Sequence, residues 1–129
     1  MTRTVTFDST NPFHVNCFRY IYGGFISGGS VAAQARSQRP PKDGAFDGEI
    51  RREAKLLKAL KEISKLPPNA KLEDPNGLRI LKEGATTLAL PQDLFSLLMS
   101  YMKQAQWTIG VIDEAVDAVD WLDTATSAP

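Results

Sequence analysis

The sequence predicts a small α+β domain in which an antiparallel hairpin or meander packs with about three helices, preceded by an N-terminal β arm rich in aromatic residues and glycine. Three observations predict it. Apolar residues alternate near residues 78–90, they recur at helical spacing in three other segments, and six of the eleven aromatic residues lie in the first 25 positions. We divide the chain into an arm at 1–29, a linker at 30–42, a helical α+β domain at 43–125 and a tail at 126–129.

The predicted arm contains two strands. Residues 2–7 alternate threonine with other side chains, which is typical of an edge strand, and the Asn-Pro pair at 11–12 indicates a turn. Residues 13–22 are aromatic and β-branched, which favours a second strand, and two glycines at 23–24 turn the chain back. The arm packs either on its own helices or on a neighbour's sheet or groove. We predict that it contacts a partner through Phe13, Phe18, Tyr20, Tyr22 and Phe25.

A linker and a basic helix follow the arm. Prolines at 40–41, flanked by Arg39 and Lys42, favour an extended polyproline II spacer. Asp47 is placed to cap a helix over residues 49–66. Its predicted buried stripe is Ile50, Ala54, Leu57, Leu60 and Ile63. Six Lys or Arg residues occupy the other side among glutamates, as a solvated face or, alternatively, as a contact to phosphates.

The predicted hairpin pairs residues 78–82 with residues 86–90. Alternation places Leu88 and Leu90 on one face, and Gly84 supplies the positive φ of a tight loop. The Asp-Pro-Asn-Gly turn at 74–77 allows a third short strand before it.

Two helices follow the hairpin. Pro91 and Asp93 favour a helix start, and the residues after them are so apolar that the helix is either central to the core or half covered by a partner. We expect Trp107 to end this helix and Thr108 to cap the next one. In that last helix a seam for one partner surface is formed by Ile109, Ile112, Val116 and Val119.

The last helix also carries an acidic face and a second tryptophan. The acids are a solvated face or, alternatively, an electrostatic docking face: Asp113, Glu114, Asp117, Asp120 and Asp123. Trp121 lies off the apolar stripe, as a lateral core residue or an exposed anchor, and we predict that it contacts a partner together with Trp107.

Composition and charge narrow the functional class. Net charge is zero, but residues 1–42 sum to +4 and residues 91–129 to −5, which favours contact between front and back, within one chain or between neighbours. A run of about 20 apolar residues is lacking, so no membrane span is predicted. A single cysteine, Cys17, suits a reducing compartment. We expect a cytoplasmic protein.

Catalytic and metal motifs are missing from the sequence. His14 and Cys17 make half of a metal site at most, and in an extended strand they lie on opposite faces, which argues against a Cys–His nucleophile. Neither a phosphate loop nor a serine nucleophile motif is found. We predict no cofactor, no metal and no enzymatic activity.

Three functions remain: an interaction or assembly subunit, self-associating or bound to another protein; a nucleic-acid accessory protein using the basic helix 49–66; and an inhibitor whose acidic last helix binds a host macromolecule.

The stretch from Glu49 to Asp123 contains that basic helix, the hairpin ending at Leu90, the Pro-Gln-Asp-Leu start at 91–94, Trp107 and the acidic helix. In this order it resembles small accessory proteins encoded by bacteriophages and their integrated relatives; the first 42 residues lie outside the resemblance. The resemblance implies a virion-assembly or anti-host binding role without catalysis, in the host cytoplasm or the virion.

Overall fold

The computed structural model describes residues 1–38, 46–64 and 81–128, without the side chains of Phe46, Asp47 and Ala128. In these ranges the chain forms one three-stranded antiparallel sheet and four α-helices, which confirms the predicted α+β class. The strands are β1 (Thr2–Asp8), β2 (Ala85–Pro91) and β3 (Thr126–Ala128). The helices are α1 (Pro12–Ser37), α2 (Arg51–Glu62), α3 (Gln92–Gln104) and α4 (Ile112–Asp123). A π-helical turn at Phe46–Ile50 precedes α2, and a 3-10 turn at Ile109–Val111 precedes α4.

The sheet has β1 at its centre, in the order β2-β1-β3. The prediction of an edge strand at residues 2–7 was therefore wrong in position, and residues 126–128, predicted as part of a tail, form the third strand. Arg3 explains how the last strand is held. Its Nε donates to the Ala125 carbonyl at 3.2 Å and its Nη2 to the Asp123 carbonyl at 3.0 Å.

The strand predicted at 86–90 is confirmed as β2. Leu88 and Leu90 are buried, as their alternation predicts, and Gly84 has a φ of +91°. The partner of β2 within the described residues is β1, whereas Leu81 makes an isolated bridge to Ser64. The predicted turn at 74–77 and the first part of the predicted hairpin, 78–80, lie outside the described residues.

The strand predicted at 13–22, with its return at 23–26, is wrong, because these residues belong to the 26-residue helix α1. The Asn-Pro pair begins that helix: the Asn11 side chain accepts a hydrogen bond from the Phe13 amide at 2.9 Å, and Pro12 occupies the first turn. Residues 30–37, predicted as the start of a linker, continue the helix. Its buried side follows helical spacing, with Phe18, Ile21, Tyr22, Phe25, Gly28 and Ala32.

The helix α1 crosses α3 at very short range. A Cβ added at Gly28 would lie 2.6 Å from the Tyr101 Cα and closer still to the Tyr101 carbonyl oxygen. A Cβ at Gly24 would lie 3.2 Å from the Met102 Cα. Only glycine allows the two backbones to approach this closely, so tertiary packing outweighs the low helix propensity of the glycines in α1.

The remaining helices follow their predicted segments. In α2 the buried side chains are Leu56 and Leu60, so the predicted stripe through Ala54 was rotated, and Ala54 is exposed. The helix α3 is central to the core, which was one of the two alternatives predicted for it. It ends at Gln104 and not at Trp107. Its buried residues are Leu94, Phe95, Leu98, Met99, Tyr101 and Met102.

A partly buried polar cluster joins α1 to the second helix. The Arg36 guanidinium lies 2.7 Å from the Glu53 carboxylate and 3.2 Å from that of Glu49. The Tyr101 hydroxyl donates to Glu53, so α1, α2 and α3 meet at one carboxylate. Within the described residues, no helix is both long enough and apolar enough to cross a membrane.

The helix crossing predicts a sharp contrast between two adjacent glycines. Gly28→Ala should lower the free energy of unfolding by about 3 kcal/mol or more, because the methyl group overlaps the α3 backbone. Gly29→Ala is the matched control: its Cβ would meet the Tyr101 ring at 3.8 Å, so stability should hold or rise by up to about 1 kcal/mol. Chemical denaturation measures both, and equal stabilities of the two variants would contradict the crossing.

Candidate functional site

The helix α4 buries two alanines and a leucine and exposes two of its β-branched apolar residues. Its buried side chains are Ala115, Ala118 and Leu122. The side chains of Ile112 and Val116 are 43% and 51% exposed, and Ile109, in the preceding turn, is 91% exposed. The seam predicted from Ile109, Ile112, Val116 and Val119 therefore faces solvent along most of its length, with Val119 half-buried.

The exposed residues Ile109, Ile112 and Val116 are here called the stripe. Beside the stripe lies an apolar groove of about 230 Å³, here called the α4 groove. One wall comes from α3 and the segment after it, and the other from α4 itself. The lining residues are Met102, Lys103, Trp107, Ile112, Ala115, Val116, Val119 and Asp120. Several apolar side chains are thus grouped in one concave surface, which is the geometry of ligand- and partner-binding sites and differs from scattered exposed residues.

Trp107 is held rigidly as a wall of the groove. Its Nε1 donates to the Met102 carbonyl at 3.0 Å, and its ring meets the Tyr20 ring edge-on, with centroids 5.9 Å apart. A Cβ at Gly24 would lie 3.1 Å from the indole, so this glycine makes room for the ring. Because the indole is already ordered, a partner that contacts it loses little conformational entropy there.

The solvent side of the stripe is acidic. Asp113, Asp117 and Asp120 are exposed and recur at steps of four and three, next to Ile112 and Val116 on the helix surface. Glu114 accepts a hydrogen bond from the Tyr20 hydroxyl, and that bond raises the pKa of Tyr20. The row of three carboxylates beside an apolar groove favours a ligand that carries positive charge next to apolar side chains.

A smaller aromatic cluster lies where α1 begins. The Phe13 ring, 47% exposed, meets the Trp121 ring edge-on at 6.2 Å, and His14 lies 4.9 Å from Trp121. The Phe7 ring packs under Trp121 at 5.1 Å. Two of the residues predicted to contact a partner, Phe13 and Trp121, are thus brought together at the surface.

The other predicted partner contacts divide into two groups. Phe18, Tyr22 and Phe25 are buried in the core of the chain itself, so in this structure they offer no surface to a partner. Tyr20 and Trp107 are half-buried and adjacent. The aromatic residues of the first segment are mostly core because α1 is a helix whose inner face they form, which the strand interpretation did not predict.

Cys17 and His14 do not form a nucleophile pair. As residues of one helix, they are not kept apart by strand geometry, so the argument from opposite faces fails. Burial, with a smaller contribution from Asp117, raises the pKa of Cys17 to about 11, and His14 Nδ1 accepts the Asp8 amide at 3.0 Å. Within the described residues, no three His, Cys, Asp or Glu side chains are grouped as metal ligands.

Comparisons with protein family models, with curated proteins and with solved structures found no match to this chain.

The state of Cys17 can be tested directly, because it is the single cysteine of the chain. With its pKa near 11, the thiolate fraction at pH 8 is about 100-fold below that of an ordinary thiol, and burial blocks access as well. We expect a disulfide reagent to react at least about 100-fold more slowly with the native protein than with protein unfolded in guanidinium. A fast reaction in the native state would place Cys17 at the surface.

Proposed function

We propose that this protein is a non-catalytic protein-binding subunit whose α4 groove receives an amphipathic helix of another protein. One observation carries the proposal: α4 buries alanines while it exposes Ile112 and Val116 beside a groove, and Ile109 in the preceding turn is exposed as well. Covering Ile112 and Val116, each about half exposed, would contribute on the order of 1 kcal/mol apiece to binding.

The spacing of the stripe favours a helical partner. Residues at steps of three and four form a straight ridge, and a second helix packs its own apolar side chains beside such a ridge. The α4 groove, between that ridge and Trp107, is the place for the partner's anchoring side chains.

The charge of the rim defines the partner further. Asp113, Asp117 and Asp120 run beside the stripe, so a partner helix with Lys or Arg next to its apolar face would be attracted. Two copies of α4 facing each other would set these carboxylates against one another, which disfavours self-association through this surface. We therefore assign the surface to a different protein with a basic amphipathic helix.

An assembly role or an anti-host role, as the bacteriophage resemblance implies, would each use binding of this kind.

The nucleic-acid alternative depends on exposed cations of α2, among them Arg52, Lys55 and Lys58. Those cations would give affinity for duplex DNA that falls steeply with salt. Binding of duplex DNA with that salt dependence, together with no binding of basic peptides, would favour the alternative.

The docking proposal predicts selective binding of a model peptide. A Leu/Lys amphipathic helix of about 18 residues, long enough for five turns, should bind and change the fluorescence of Trp107. Ile112→Ser combined with Val116→Ser should weaken the affinity about 10- to 100-fold, since about 2 kcal/mol of apolar contact is lost. The control is Ile26→Ser, which alters an isoleucine of α1 that is 39% exposed and outside the groove, and it should leave the affinity within about twofold.

The charge preference is tested with the same assay. Replacing Asp113, Asp117 and Asp120 by Asn should weaken binding of the Lys peptide and reduce its salt dependence. A Leu/Glu peptide of the same length should not bind the native protein. Equal affinity of the native protein and the Ile112/Val116 variant, with both folded by circular dichroism, would refute the proposed surface.

A further inference from the structure

A second groove of about 510 Å³ runs along the exposed side of α3, between this helix, β1 and the end of α4. We call it the α3 groove. Its lining residues are Arg3, Gln92, Phe95, Ser96, Met99, Ser100, Lys103, Gln104 and Asp123. It uses none of the exposed stripe of α4, and Lys103 is the one lining residue it shares with the α4 groove.

Arg3 supplies a fixed positive charge to this groove. Its guanidinium lies 4.2 Å from the centre of the Phe95 ring, and two of its nitrogens donate to the carbonyls of Asp123 and Ala125. The third nitrogen, Nη1, has no hydrogen-bond partner among residues 1–38, 46–64 and 81–128. A cation held by three contacts is already in position for a ligand, so little side-chain entropy is lost on binding.

Two serine hydroxyls of the groove are set up as donors. Gln92 Nε2 donates to Ser96 Oγ at 3.1 Å, and Gln104 Nε2 donates to Ser100 Oγ at 2.8 Å. Each serine oxygen therefore accepts from an amide, and neither hydroxyl proton is donated to another group in the described part of the chain. Both protons are available to an acceptor in the groove.

The charges and the floor of the groove define the ligand. Arg3 and Lys103 against Asp123 leave one net positive charge in the lining. The Arg3 guanidinium covers the Phe95 ring, and Met99 lies at the floor of the groove as its other apolar lining residue. Two hydroxyl donors, two cations and an apolar floor fit an anion with an apolar body, because oxyanions accept several hydrogen bonds while the floor accepts a ring or a chain.

We propose that the α3 groove binds a small organic anion, with its carboxylate or phosphate group at Ser96, Ser100 and Arg3 and its apolar body against Met99. This site shares Lys103 with the α4 groove but none of the residues varied to test that groove, so either of the two proposals can fail without the other.

Nuclear magnetic resonance with fragment probes tests this site. Benzoate carries a carboxylate on a phenyl ring, and phenyl phosphate carries a phosphate on the same kind of ring. Benzyl alcohol is the uncharged control. We expect dissociation constants of about 1 mM, as is usual for fragments of this size, with shifts at the side-chain amides of Gln92 and Gln104. The tighter of the two anions shows which oxyanion group the groove prefers.

The matched variants are Ser96→Ala with Ser100→Ala in the groove and Ser37→Ala at the end of α1 as the control. The groove variant should bind the tighter anion at least about fivefold more weakly, and the control variant as tightly as the native protein. The proposal is overturned if neither anion shifts the groove signals at about 20 mM, if benzyl alcohol shifts them equally, or if the groove variant binds unchanged.

Discussion

The backbone contact between α1 and α3 at Gly28 constrains the rest of the structure. At this crossing the Tyr101 carbonyl lies where any larger residue at position 28 would place its Cβ. The contact fixes the depth and rotation of α3, and α3 contributes a wall to both grooves described above. One helix lying on a glycine therefore sets the position of Phe95 on one side and of Met102 on the other.

The packing of α4 also depends on small side chains. This helix packs on α1 and buries Ala115, Ala118 and Leu122, whereas Ile112 and Val116 stay exposed. The larger side chains point outward, next to Asp113 and Asp117. An apolar ridge beside a row of carboxylates combines non-directional attraction with charge selectivity, which together give a surface both affinity and a preferred partner.

The extent to which the sequence predicts this fold differs between its elements. The strand β2 and the helix α3 were predictable because Gly84 and Pro91 bracket a clear alternation and an apolar helical run follows it. The helix α1 was missed because its aromatic and β-branched residues and four glycines favour strands and turns. Its helical signals were nevertheless present: Asn11 and Pro12 are a cap and a first-turn residue, and Phe18, Ile21, Tyr22 and Phe25 recur at three- and four-residue steps.

The candidate sites show a second limit of the sequence. The set Ile112, Val116 and Val119 and the set Ala115, Ala118 and Leu122 both have helical spacing, so periodicity alone does not decide which set is buried. The packing against α1 decides it. The α3 groove joins Arg3 to Asp123 across nearly the whole chain, and no local pattern indicates that contact.

The central position of β1 has a consequence for the order in which the molecule assembles. Within the part of the chain that the structure describes, β1 pairs with residues 85–91 and 126–128, so its pairings join segments that are far apart in the sequence. On the ribosome α1 emerges before α3. The aromatic face of α1 therefore stays exposed to solvent while the intervening segments are translated. Apolar surface that is exposed in this way during synthesis favours aggregation.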